Sequence, residues 1–142
     1  MRSKILSLAG AGLVLMAVGA WSQPARAQWA PSTDCDQYGG YELDNCLNDA
    51  NTAADAALNA AYAKAGAYID ATQDIPADKT SWHDELRAAQ RAWIAFRDAN
   101  CAFDLIVAEW NSGSGANAAQ KACVLAMTLA RTDELTKRYT AN

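Results

Sequence analysis

LRAAQRAWIAFRDANC, residues 86–101, is the stretch that decides how this chain folds. Leu86, Gln90, Trp93, Arg97 and Cys101 recur at intervals of three and four, which places them on one face of an α-helix. This reads as a core face. Trp93 fills volume, Cys101 can fix the helix covalently, and Arg97 needs an acceptor if it is buried. A carboxylate such as Glu134 or Asp55 is the acceptor expected for it.

Working outward, the first residues carry a targeting pattern. Arg2 and Lys4 give a basic start, residues 5–20 are apolar, and Ala25-Arg26-Ala27 has the small-x-small form of a signal-peptidase site. Residues 1–27 are therefore expected to be a cleaved signal peptide, and residues 28–142 the mature domain. No later segment is long and apolar enough to span a bilayer, so stable membrane insertion is not expected. Cys35 follows Ser32-Thr33-Asp34 rather than the small apolar residues of a lipobox.

Without Arg2, Lys4 and Arg26, nine basic side chains face sixteen acidic ones, a net charge of −7. That balance argues against nucleic acid or an anionic membrane as partner, and it allows attraction to a basic one. Solubility alone is the simpler use of the same charge.

Four cysteines, Cys35, Cys46, Cys101 and Cys123, entering an oxidising compartment point to two disulfides. Three pairings are possible. Cys101 and Cys123 lie about equally far from the Gly/Ser-rich residues 111–115, so a helical hairpin brings them to similar heights, and Cys35 can then close onto Cys46. Cys46 with Cys101 is the rival. A single His and no CxxC pair give no support to a metal site or a redox pair, and no cofactor is expected.

Residues 28–40 read as an irregular lead-in with Gly39-Gly40 as a hinge. Helical spacing follows in Leu43, Leu47, Ala50, Ala54, Leu58, Ala61, Ala65 and Tyr68, and Pro76 interrupts it. Thr80 or Ser81 is the expected cap of a second helix running past Cys101 to about Trp110. Residues 111–115 form a flexible turn, and Ala119, Cys123, Met127, Ala130 and Leu135 mark a third helix ending near Tyr139. The fold class is all-α: a small antiparallel three-helix bundle with two disulfides.

The segments ELDNCLNDANTAADAALNAAYAKA, LRAAQRAWIAFRDANC and ACVLAMTLARTDELTKRY, in this order, resemble the lysozyme inhibitor LprI-like N-terminal domain family. The resemblance spans nearly all of the mature region. Its most specific part is Gln90, Trp93, Arg97, Asp98 and Cys101, supported by Leu58-Asn59 and Tyr62 upstream and by Cys123, Thr128 and Arg131 downstream. It implies an exported helical domain that binds lysozyme and inhibits it. The lipoprotein cysteine of the namesake type is missing here, which favours a free periplasmic or secreted form. The alternative is an envelope adaptor that binds another protein and leaves lysozyme unaffected.

No catalytic constellation accompanies these features. His83, Asp84 and Glu85 are neighbours in sequence, and adjacent helical positions do not face one another, so an exposed His near a helix start is the reading adopted. Leu58, Tyr62, Gln90, Trp93, Arg97 and Arg131 are assigned to the structural core. The candidate partner-binding residues are Asp98, whose simpler role is a local ion pair with Arg97, and Trp110 with Asn111, Ser112, Gly113 and Ser114. For Trp110, packing under the turn is the competing role.

Overall fold

The computed structural model describes residues 30–140, so the expected leader, residues 1–27, lies outside the described residues. Four helices follow one another: α1 (Gly40–Thr72), α2 (Pro76–Asn100), the short α3 (Phe103–Glu109) and α4 (Ala116–Arg138). No strand occurs among the described residues. The three long helices run up, down and up, with α3 completing the descent.

The second helix differs from the expectation at both ends. Pro76 opens α2 rather than separating two helices, because at the first helical position its missing N–H has no partner to lose. Thr80 does not cap; its hydroxyl donates to the Pro76 carbonyl at 3.0 Å. At the other end the helix stops at Asn100, and Ala102 is extended with ψ 137° before α3 begins. Cys101, bonded to Cys123, marks this corner.

The helix pair that builds the core is α1 with α4, which make the most extensive contact of any two elements. Leu47, Ala54, Leu58, Ala61, Ala65 and Ile69 are the buried stripe of α1. Ala116, Ala119, Ala122, Cys123, Leu125, Thr128, Arg131 and Leu135 are that of α4. Met127 and Ala130, expected on the α4 core face, are half-buried and exposed respectively. Alanine keeps both faces low, which lets the helix axes approach closely and bury backbone as well as side chains. By contrast, α2 fully buries only Leu86. The stretch read as the organising core face therefore packs onto a pair already formed by α1 and α4.

Polar cross-links hold α1 and α4 in register. Asp44, early in α1, accepts from Asn117 Nδ2 at 2.9 Å and from Lys121 Nζ, both on α4. Two helical turns further, Asn51 Nδ2 donates to the Lys121 carbonyl at 3.0 Å and to the Leu47 carbonyl at 2.8 Å. At the far end, Tyr68, Trp82 and Tyr139 close the bundle as an aromatic triad with ring centroids 5.8–6.4 Å apart. There His83 Nε2 lies 2.9 Å from Asp70 Oδ1. His83 is thus half-buried and tied to α1, not simply exposed at a helix start.

Two disulfides secure the parts outside the core pair. Cys35–Cys46 draws the lead-in onto α1, and Cys101–Cys123 ties the end of α2 to α4. The lead-in is an ordered turn, with Asp36 accepting from the Thr33 hydroxyl at 2.8 Å and Tyr38 N–H donating to the Cys35 carbonyl at 2.9 Å. Gly40 enters α1 at φ +56°, a left-handed conformation that suits glycine.

The hydrogen bond from Lys121 is the main reason that the Asp44 carboxyl titrates below its ordinary value of 3.8. A carboxyl with a lowered native pKa contributes stability above its unfolded pKa, and this is lost as pH falls through the native value. Chemical denaturation should therefore show stability falling as pH drops below about 4. In Asp44→Asn this part of the pH dependence should be smaller, and an unchanged pH profile would refute the assignment.

Candidate partner-binding surface

The residues that carried the family resemblance form a seam between α2 and α4. Arg131, only 8% exposed, donates from Nε to Gln90 Oε1 at 3.1 Å and from Nη1 to Glu134 Oε2 at 2.8 Å. Two guanidinium groups lie over the Trp93 ring, with Arg97 Cζ 5.2 Å and Arg131 Cζ 6.0 Å from its centroid. Arg97 does not use Glu134 or Asp55 as its acceptor. It bonds Asp98 Oδ1, from Nε at 2.9 Å and Nη2 at 2.8 Å, and its Nη1 reaches Thr128 Oγ1 at 3.4 Å. Glu134 is engaged by Arg131, and Asp55 accepts from Asn59 at 3.2 Å. Leu58 is buried, and Tyr62 and Trp93 are partly buried against the same cluster.

Gln90, Trp93 and Arg97 of α2 thus each meet Arg131 or Thr128 of α4. Asp98 is the adjacent ion-pair partner of Arg97, although its side chain keeps 58% of its surface exposed. Gln90→Leu removes the acceptor of a buried guanidinium N–H and should cost about 1–3 kcal/mol in denaturant unfolding. A double-mutant cycle with Arg131→Met should return a coupling of about 0.5–3 kcal/mol, whereas additive effects would show that the two side chains do not act together.

The candidate turn is more ordered than its composition implies. Trp110 packs with Ile106, Ala116 and Ala119, and its ring covers Gly115 so closely that a Cβ there would lie 2.1 Å from Cζ3. Backbone N–H groups of Asn111, Ser112 and Gly113 donate to the carbonyls of Ala108, Val107 and Trp110 at 2.8–3.2 Å. Asn111 and Ser112 form the exposed apex and take φ values of 48° and 58°. Rather than a flexible loop, residues 111–115 are a hydrogen-bonded knuckle seated on Trp110.

Left-handed backbone costs a non-glycine residue about 1–2 kcal/mol, and glycine gives back about 0.4–1 kcal/mol through its freer unfolded state. Ser112→Gly should therefore raise thermal stability by up to about 1 kcal/mol. Gly115→Ala should lower it by forcing the Trp110 ring away, and equal melting temperatures for both variants and the parent would contradict this geometry.

Charge is distributed unevenly along the bundle. Residues 30–63 and 97–126, which form the end holding both disulfides, the lead-in and the knuckle, carry nine carboxylates against Arg97 and Lys121. Residues 64–96 and 127–140, which form the other end, carry seven carboxylates and seven Lys or Arg side chains. The excess of seven negative charges therefore belongs to the disulfide end. Sequence alone yielded the total, but its placement required the up-down-up topology. Among the described residues, no group of three or more His, Cys, Asp or Glu side chains is placed to hold a metal ion.

These features define a small disulfide-closed helical scaffold with one strongly acidic end and a motif devoted to helix attachment. The family model described as "Lysozyme inhibitor LprI" matches residues 33–135, and the chain belongs to this family. It is also 36% identical over 117 residues to an uncharacterized protein of Rhizobium meliloti (strain 1021), an alignment covering 79% of this chain and 82% of that protein. No solved structure matches.

Proposed function

We propose that this protein is an exported inhibitor that binds lysozyme and blocks peptidoglycan hydrolysis by steric and electrostatic occlusion of the cleft. Membership of the LprI family carries this reading, and the acidic disulfide end supports it physically. Lysozymes are generally basic and cleave glycans in a carboxylate-bearing cleft. A surface with a net charge of −7 at one end is drawn toward such an enzyme in a preferred orientation, which raises the association rate. The disulfides and the hydrogen-bonded knuckle reduce the ordering cost of binding, so a rigid apex at Asn111 and Ser112 can enter a cleft without first being immobilised. No chemical step is required of the protein. No helix among the described residues is long and apolar enough to cross a membrane.

An adaptor that binds a different envelope protein is the second reading. Phe96 and Phe103, 60% and 48% exposed on α2 and α3, are the side chains it would use. The two readings separate in a lysis assay in which oxidised residues 28–142 are titrated against several lysozyme types on peptidoglycan. Inhibition that persists at physiological salt is the expected result. Inhibition confined to low salt would reduce the interaction to loose charge pairing, and none at high excess would leave the adaptor.

A further inference from the structure

The lead-in crosses the seam between α1 and α4 and leaves an apolar furrow on either side of it. Toward the knuckle, a groove of about 290 Å³ runs past Leu43, Leu47, Ala118 and Ala122 to Trp110 and Gly115. Beyond the lead-in, a larger groove of about 440 Å³ is walled by Ala50, Ala53 and Ala57 of α1 and by Leu125, Ala126 and Leu129 of α4. Thr33 borders both. The alanines that let α1 and α4 approach leave this outer groove shallow, and Leu129 remains 50% exposed beside it.

Its surroundings specify an occupant. Asp34 stands on the rim, and Asp49 lies one helical turn before Ala53 on the same side of α1. Both are exposed, and among the described residues neither has a basic partner. Some exposed carboxylates elsewhere on the bundle, such as Asp84, Asp98 and Asp133, are matched by Arg or Lys, and others, such as Glu42 and Asp104, are not; Asp34 and Asp49 are set apart by standing beside the groove. An apolar groove with unmatched carboxylates on the acidic end of the molecule complements a basic surface that offers one apolar side chain between Lys or Arg residues.

We infer that the furrow beside the lead-in is the docking site for the basic partner, receiving an apolar side chain in the groove of Ala53, Ala57 and Leu129 while Asp34 and Asp49 pair with flanking cations. The inference rests on the lysozyme reading above and adds the surface by which the enzyme is held. The anchor then lies in the furrow, and the knuckle adds reach. Mutation of the apex alone would leave much of the affinity in place.

The test measures binding of oxidised residues 28–142 to the lysozyme type most strongly inhibited, at physiological salt. Ala53→Arg and Ala57→Arg place a bulky cation in the groove from exposed helical positions, and Leu129→Lys removes its apolar wall. Ala88→Arg and Ala95→Arg, on the exposed side of α2, serve as controls. Each groove variant that retains the parental helical circular dichroism should lose at least tenfold in affinity, with the controls within twofold. The pair Asp34→Asn and Asp49→Asn should slow association and reduce its salt dependence. Hydrogen exchange on the unmutated complex supplies a measurement that needs no variant, and protection should appear along residues 50–57.

Binding that the groove variants leave within twofold, or a footprint elsewhere, overturns the furrow while the lysozyme reading stands. Failure of the parent protein to bind any lysozyme overturns both. A dimer in sedimentation that Ala53→Arg dissociates would show the groove filled by a second copy, and would also overturn the proposal.

Discussion

A guanidinium almost withdrawn from water has to find its partners where it stands, and Arg131 imposes that condition on the whole of α2. Its Nη1 is met by Glu134 of its own helix, while its Nε needs Gln90 and its Cζ lies over the Trp93 ring, both on α2. These requirements are met at one rotation and one height of α2 against α4. Arg97 adds the same kind of demand a turn later through Thr128. Since α2 fully buries a single leucine, apolar contact alone would hold it loosely and in several registers. Desolvation of charged groups offsets much of what such contacts return, so a polar seam of this kind fixes orientation more readily than it adds net energy.

The α1–α4 pair has the opposite character. Its faces are small and largely apolar, and close approach replaces bulky interdigitation. The resulting molecule has a tight parallel pair and a third helix attached by specific polar contacts and a disulfide. Such a division keeps the outer side of the α1–α4 seam free of large side chains, which is why grooves persist there beside a well-packed interior.

Much of the fold was legible as periodicity. The α1 stripe, the helical face from Leu86 to Cys101, and the turn after Trp110 all follow from spacing and composition. The interruption at Cys101-Ala102 was not legible, because neither residue is a helix breaker and the corner coincides with a covalent tie to another helix. The ranking of helices was also hidden: Trp93 and Arg97 look like core residues in one dimension, and only the assembled bundle reveals that alanines carry the closest contact. For Arg97 the sequence offered both Glu134 or Asp55 as acceptor and a local ion pair with Asp98, and the local pair is the one formed. For the candidate surface, the sequence identified the exposed apex at Asn111 and Ser112. Asp44, Asn51, Asn117 and Lys121 gave no local signal, since their roles depend on a register between segments about 70 residues apart.

Both disulfides join cysteines close along the chain, at separations of 11 and 22 residues, whereas the polar links of the core pair span 70 to 77. The covalent ties therefore lie within local units: a lead-in turn on the first helix, and a hairpin of the last three. A chain emerging amino-terminus first can complete the first unit before the second exists, so oxidation does not have to wait for the core. Each covalent tie therefore closes a short loop, and only the non-covalent contacts of α1 with α4 hold the two ends of the chain together.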